Sequence, residues 1–289
     1  MTPRQRILNH RTIIARAKTY ENRYARQLLS ALAKQYREAA AQYDSGRQID
    51  PSSEQLETVY RKLYLTLIPG EAKEAWSRYI TPIAAEEKGY RPDMERKDIL
   101  DDLASFLGIG QSEGEMIKLW RSIANDYYNL NILSRIRNVM DTTRKAIGQI
   151  IEKGLQEGLG GREIAKNIRQ EASGEVNRNR SMLIARTESM NAINRGQRLA
   201  MVTSPYYWDK RWDAFSDDRT RNSHRQMNTV DWLPLETSYE VPKKDGGIDI
   251  MDYPASPQGS AENVIQCRCS ESFQVRRDAN GRPIRKSNI

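Results

Sequence analysis

Between positions 4 and 43 apolar residues recur mostly at steps of three, four or seven: Ile7, Ile14, Ala17, Tyr20, Tyr24, Leu28, Leu32, Tyr36, Ala39 and Tyr43. The span holds no Pro and no Gly, so the pattern predicts one long amphipathic helix or two nearly continuous ones. Forty helical residues would extend roughly 60 Å. Asp44-Ser45-Gly46 breaks the pattern, and a second helix is expected after Pro51, with Ser52 or Ser53 as its cap. Leu56, Val59, Tyr60, Leu63 and Leu67 form its stripe, and Pro69-Gly70 is expected to end it. Further helical patterns follow over 71–87, 94–107, 113–128 and 130–153. Glycine turns come next at Gly154, Gly158 and Gly160-Gly161, then a short helix over 162–168 closed by Ser173-Gly174, and a helix from Asn177 to about Met201.

The texture then changes. Tyr206 to Ala214 is aromatic and alternating, which reads as a strand with Trp208 and Trp212 on one face, placed there as core. Ser216 could cap a short helix from Asp217 to about Gln226; 227–262 reads as loop, and Asn263 to Val275 as a final strand. The expected fold class is a mainly α N-terminal region followed by a small α+β C-terminal module, mixed α+β overall. The expected divisions are a basic amphipathic helical arm (1–48), a helical region (49–175), an α+β core module (176–275) and a basic tail (276–289).

Charge sharpens this division. The 289 residues carry 46 Lys+Arg against 38 Asp+Glu, net +8. Residues 1–48 hold ten basic and three acidic side chains, residues 276–289 five and one, so the stretch between them is slightly acidic. Two terminal basic segments suit contact with a polyanion or an acidic protein surface. On the first helix the cations placed for such contact are Arg4, Arg6, Arg11, Arg16, Arg23 and Arg26. No apolar run approaches the roughly 20 residues that span a bilayer, so a membrane role is not expected. The two cysteines, Cys267 and Cys269, are one residue apart, a spacing poorly suited to a mutual disulfide. With His10 and His224 as the only histidines, neutral-pH acid/base chemistry is sparse.

The last third is chemically dense. It contains Arg186-Thr187-Glu188 on a helix, and Trp212 followed by Asp217-Asp218-Arg219-Thr220-Arg221-Asn222-Ser223-His224. Tyr253-Pro254 comes next, and then Asn263 four residues before Cys267-Arg268-Cys269. On a helix Asp217, Arg221 and His224 would share a face. These elements, in this order over about residues 140–272, resemble the phage Mu F-like minor head protein domain, also called the phage head morphogenesis domain. The chain departs from the family pattern after the histidine, where Met227-Asn228-Thr229 stands in place of a usual glycine, and at Gln266, where Asn is common.

The resemblance implies a non-enzymatic virion component of a tailed phage or prophage, made in the host cytoplasm and placed in the head near the portal vertex. It would bind the portal protein, with capsid or scaffold proteins and packaged double-stranded DNA as further partners, and act in head assembly, DNA packaging or ejection. Its core cluster here would be Arg186, Glu188, Trp212, Asp218, Arg219, Arg221, His224, Cys267 and Cys269.

Two chemical readings compete for that cluster. In one, His224, Cys267 and Cys269 bind zinc, with Asp217 or Asp218 as fourth ligand. Against it, structural zinc sites more often space their cysteines Cys-x2–4-Cys than Cys-x-Cys. In the other, no cofactor is needed: Asp218, Arg219, Arg221 and His224 form a packed, hydrogen-bonded bridge from helix to sheet, and Arg186 and Glu188 an ion-pair network fixing their helix on the sheet. A catalytic reading, a zinc-dependent or nucleotide-modifying enzyme, is the alternative from another class. It lacks a nucleophile elbow, a phosphate-binding glycine loop and a His-Glu-x-x-His pattern.

Overall fold

The computed structural model describes residues 1–89, 113–215 and 217–286. The helical pattern expected over 94–107 and the Ser216 cap lie outside the described residues. The first helix, α1, is unbroken from Pro3 to Asp44, opened by a capping box in which Thr2 and Gln5 satisfy each other's backbone N–H groups. Helix α2 (Glu54–Ala75) then runs through Pro69-Gly70, past the expected stop, and continues by a π-helical turn (Trp76–Ile80) into α3 (Thr81–Lys88). Proline inside a helix removes a hydrogen bond and costs about 3 kcal/mol. Here Leu67, Ile68, Pro69 and Ala72 are all buried against the body of the protein, which offsets that cost.

The next patterns also fuse. Helix α4 (Glu113–Tyr127) passes through a second π turn (Tyr128–Ile132) into α5 (Leu133–Gln156), which carries Gly154 inside it. The turn comes at Gly158, whose φ of 70° is left-handed. Helices α6 (Gly161–Glu171) and α7 (Glu175–Thr203) follow.

Helix α7 is the axis of the fold. Both α1 and α2 pack along it, and from Ile184 to Met201 every residue except Arg186 and Arg195 is buried. Gly196 sets the closest approach: a Cβ there would lie 2.6 Å from the Ile68 carbonyl oxygen and 2.8 Å from Glu71 Cβ. The apolar stripe of α1, expected on a basic amphipathic arm, is therefore covered by the chain's own helices. Tyr24, Leu28 and Leu32 join the central core, and Tyr36, Ala39 and Ala40 pack with α5 and α6 residues Ile147, Ile164 and Ile168. At the N-terminal end Ile7 and Leu8 stay exposed (55% and 66%).

After α7 come β1 (Trp208–Asp213), a short α8 (Asn222–Met227), β2 (Leu233–Pro234), the hairpin strands β3 (Tyr239–Pro242) and β4 (Ile248–Met251), a one-turn α9 (Ala261–Val264) and β5 (Ser270–Val275). Strand β1 is central in an antiparallel sheet of order β2-β1-β5, with Trp208 opposite Val275 and Asp213 opposite Ser270. Trp208 and Trp212 are core, as alternation implies, and Lys210 between them is wholly buried on the same face. Three expectations are corrected. The stretch 227–262 holds an ordered hairpin, because Tyr239, Val241 and Met251 bury one side of it. The final strand begins only at Ser270, since residues 261–269 form a helical turn and a bend. Helix α8 starts at Asn222, because the Asp217 carboxylate accepts from the Arg219 N–H and the Thr220 hydroxyl and closes a turn in the preceding segment.

The basic tail is also engaged. Arg277 pairs with Glu86 at 2.6 Å, Arg276 with Asp209 at 2.6 Å, and Lys286 donates to the carbonyls of Val202 and Ser204 at the end of α7. No helix among the described residues is long and apolar enough to cross a membrane.

The packing contrast between two helical glycines is testable. Gly196→Ala should lower stability by about 1–3 kcal/mol in urea unfolding. Gly148→Ala, where nothing lies within 4 Å, should raise it by roughly 0.5–1 kcal/mol.

Candidate functional site

Successive residues of Arg186-Thr187-Glu188 point around α7 in different directions, and each direction has a partner. Glu188 is buried among helices: Tyr64 of α2 donates to its Oε2, and Arg135 of α5 donates to its Oε1 from Nε at 3.1 Å and Nη2 at 2.7 Å. Burial, then the Glu188 charge, pushes the Tyr64 phenol well above its ordinary range, so it keeps the proton it donates. The network thus joins helix to helix. Neither partner of Glu188 belongs to the sheet, so the expected ion-pair link from α7 to the sheet is not made here.

Arg186 and Thr187 face the bend that precedes the cysteines. Arg186 donates to Glu21 of α1 and to Gln266 Oε1, both at 3.2 Å, and Thr187 Oγ1 accepts the Gln266 backbone N–H at 3.0 Å. Gln266 itself is left-handed, with φ 57°. That conformation is tolerated best by Gly and Asn, which gives a physical reason for an Asn preference at this position. Held there by Thr187, the chain turns just ahead of Cys267 and Cys269, which lie two residues apart. Farther along α7, Asn194 Nδ2 donates to the carbonyls of Cys269 (3.0 Å) and Pro254 (2.8 Å). Asn191 accepts the Tyr253 hydroxyl at 3.1 Å. Asn263 joins α9 to the hairpin, donating to Asp249 at 2.8 Å and to the Pro242 carbonyl.

The bend delivers both thiols to one imidazole. His224 Nδ1 lies 3.3 Å from Cys269 Sγ and 3.8 Å from Cys267 Sγ. The three residues are 2%, 3% and 0% exposed, and their donor atoms all fall within 4.8 Å of one another. The Trp212 ring meets the His224 ring edge-on at 5.4 Å. A hydrogen bond from the Cys269 thiol, with His224 adding, lowers the Cys267 thiol well below its usual range despite burial. Burial and the Cys267 charge raise Cys269. The pair therefore holds one negative charge more readily than two.

The other sequence candidates sit differently. Asp217 faces Arg268, in a bidentate pair at 2.8 and 2.6 Å that holds its carboxyl far below the usual range, and Asp218 is exposed. Neither joins the His/Cys group, because the helix that would have carried them inward begins only at Asn222. Arg219 is exposed and reaches no farther than Asp217 at 3.5 Å. Arg221 donates to the Ile265 carbonyl. The expected helix-to-sheet bridge by Asp218 and Arg219 is thus absent. Arg186, Arg219, Arg221 and Arg268, with Lys18 and Glu21, instead line a pocket of about 640 Å³ beside the cysteine bend.

Of the α1 cations, Arg6 pairs with Asp213 and Arg16 with Glu71 at 2.6 Å, both inside the fold. Arg4, Arg11, Arg23 and Arg26 are exposed. His10 is apart from His224: its Nδ1 is 2.7 Å from Ser270 Oγ, and its ring is tilted against Phe215.

Two outcomes test these contacts. Arg135→Met strands a buried carboxylate and should cost about 3 kcal/mol. Adding Glu188→Gln should recover part of the loss in a double-mutant cycle. Burial, with Arg268 adding, lowers the His10 pKa from 6.5 to about 4. The unfolded chain therefore takes up a proton near pH 6.5 that the folded chain refuses until about pH 4. The stability tied to neutral His10 is complete above pH 6.5 and falls as pH drops toward 4, by about 3 kcal/mol in all. His10→Gln should remove that part of the slope in urea unfolding across this window.

No solved structure matches the chain. An uncharacterized protein of Methanocaldococcus jannaschii is 27% identical over 107 residues, which are 36% of this chain and 16% of that protein. The cysteine bend and the α7 residues that hold it, Arg186, Thr187 and Asn194, with His224, fall within the part matched by the family model described as phage Mu protein F like protein, residues 145–272. Over that span the chain carries a phage Mu F-like domain.

Proposed function

We propose that this protein is a minor head protein of a tailed phage or prophage, non-enzymatic, that binds the portal and assists head assembly, DNA packaging or ejection. The observation that carries the reading is the Mu F-like domain over residues 145–272. The site supports the absence of enzymatic turnover. His224, Cys267 and Cys269 are sealed in the core, and the adjacent basic pocket is lined by Gln266 and Arg268 and by none of those three. A substrate reaching that pocket meets guanidinium groups, Lys18 and Glu21, and neither thiol nor imidazole.

The docking face differs from the apolar stripe that sequence periodicity singles out, because that stripe is used internally. What α1 offers outward is a cationic face, Arg4, Arg11, Arg23 and Arg26, with Ile7 and Leu8 exposed among the first of these. Cations mixed with large apolar side chains fit an acidic protein surface better than a phosphate backbone, which rewards charge alone. The face is therefore assigned to the portal, with DNA contact secondary.

Deleting residues 1–48 would remove core, so the test uses charge reversal. Full-length protein co-expressed with the portal protein of the same phage or prophage should co-sediment with portal rings. Replacing Arg4, Arg11, Arg23 and Arg26 by Glu should cut that at least about tenfold while the helical circular dichroism is kept. A wild-type chain that never co-sediments overturns the portal reading. Retardation of double-stranded DNA at about 150 mM salt by the wild type, lost in the reversed variant, would move the face to DNA.

A further inference from the structure

We propose that His224, Cys267 and Cys269 bind one zinc ion, which staples α8 to the chain entering β5. A tetrahedral zinc with ordinary bond lengths to sulfur and nitrogen places those two atoms about 3.6 Å apart. The observed separations from His224 Nδ1, 3.3 and 3.8 Å, straddle that value. A thiol–imidazole hydrogen bond needs one sulfur, whereas here two converge on the same ring nitrogen at comparable range. Thiolate and imidazole donors select zinc over magnesium or calcium. A divalent cation also neutralises two thiolates that burial would otherwise keep from ionising together.

The site is pre-organised from outside. Thr187 holds the left-handed Gln266 and Asn194 holds the Cys269 carbonyl, so the backbone bearing both sulfurs is fixed by α7, as supporting residues fix metal ligands elsewhere. Among the described residues no fourth His, Cys, Asp or Glu joins the group, and Asp217 is committed to Arg268. The protein thus supplies three of the four positions of the tetrahedron. The consequence is mechanical. Helix α8 has six residues, too few to be stable alone, and the metal ties its buried histidine to the far side of the module.

Native mass spectrometry of full-length protein from zinc-replete cells should show one zinc per chain. Chelated protein titrated with cobalt(II) should develop thiolate-to-cobalt charge-transfer absorption and the intense visible bands of a tetrahedral site. Cys267→Ser and Cys269→Ser should each weaken cobalt binding at least about tenfold. If either variant fails to fold, the wild-type cobalt spectrum decides alone. Folded wild-type protein that holds no metal, shows no cobalt bands and yields two reactive thiols on unfolding overturns the proposal. None of these readouts depends on portal binding.

Discussion

A helix buried on nearly every side, yet carrying Thr, Glu, Asn, Gln and Arg, is the constraint around which this fold is arranged. Burying a polar group without a partner costs a substantial part of a domain's net stability, so α7 can lie at the centre only if its neighbours arrive with the right atoms. Tyr64 and Arg135 come to Glu188, Gln266 to Thr187, Tyr253 to Asn191, and the carbonyls of Pro254 and Cys269 to Asn194. Gly196 removes the one side chain that would keep α2 away. Apolar burial drives the collapse, and these contacts decide which rotation of α7, and which register of its neighbours, is the native one.

The chemistry of the C-terminal module follows from the same helix. Its contacts with the bend hold Gln266 left-handed and turn Cys267 and Cys269 toward His224. Around them the guanidinium groups of Arg186, Arg219, Arg221 and Arg268 give the adjoining pocket a cationic wall. Part of that charge is balanced by Glu21 and Asp217. The basic excess of the chain is likewise spent inside the fold at Arg6, Arg16 and Arg276, and on the surface at Arg4, Arg11, Arg23 and Arg26.

The helices were largely readable because amphipathic periodicity survives in α1, α2 and α5. What escaped was anything decided by tertiary packing. Pro69 reads as a stop, but the buried run around it overrides the local penalty. The interior of α7 is polar enough in sequence to suggest an exposed helix, and nothing local says that each polar atom will meet a partner. Lys210 shares a strand face with Trp208 and Trp212, so alternation did imply its burial, although its charge argued against it. At the site, the grouping of one histidine with two cysteines was visible from spacing and order. The bend that aims both sulfurs at the His224 ring was not, because it rests on one left-handed residue held from 79 positions away. The turn at Asp217 was missed for the opposite reason: short polar residues satisfied their own backbone, where helical periodicity pointed to continued helix.

The pairing of α1 with α7, and of α1's first turns with β1 and β5 through Arg6–Asp213 and His10–Ser270, carries a kinetic consequence. During synthesis α1 emerges with its apolar stripe exposed, and its principal cover, α7, is made more than a hundred residues later. Closure of so long a loop is slow relative to local helix formation, so the nascent chain must grow from α1 to α7 with an unsatisfied surface, a natural substrate for chaperones. Completion of this fold is therefore timed by synthesis of α7 and β5. Any surface that depends on the finished fold becomes competent only once translation has passed that point.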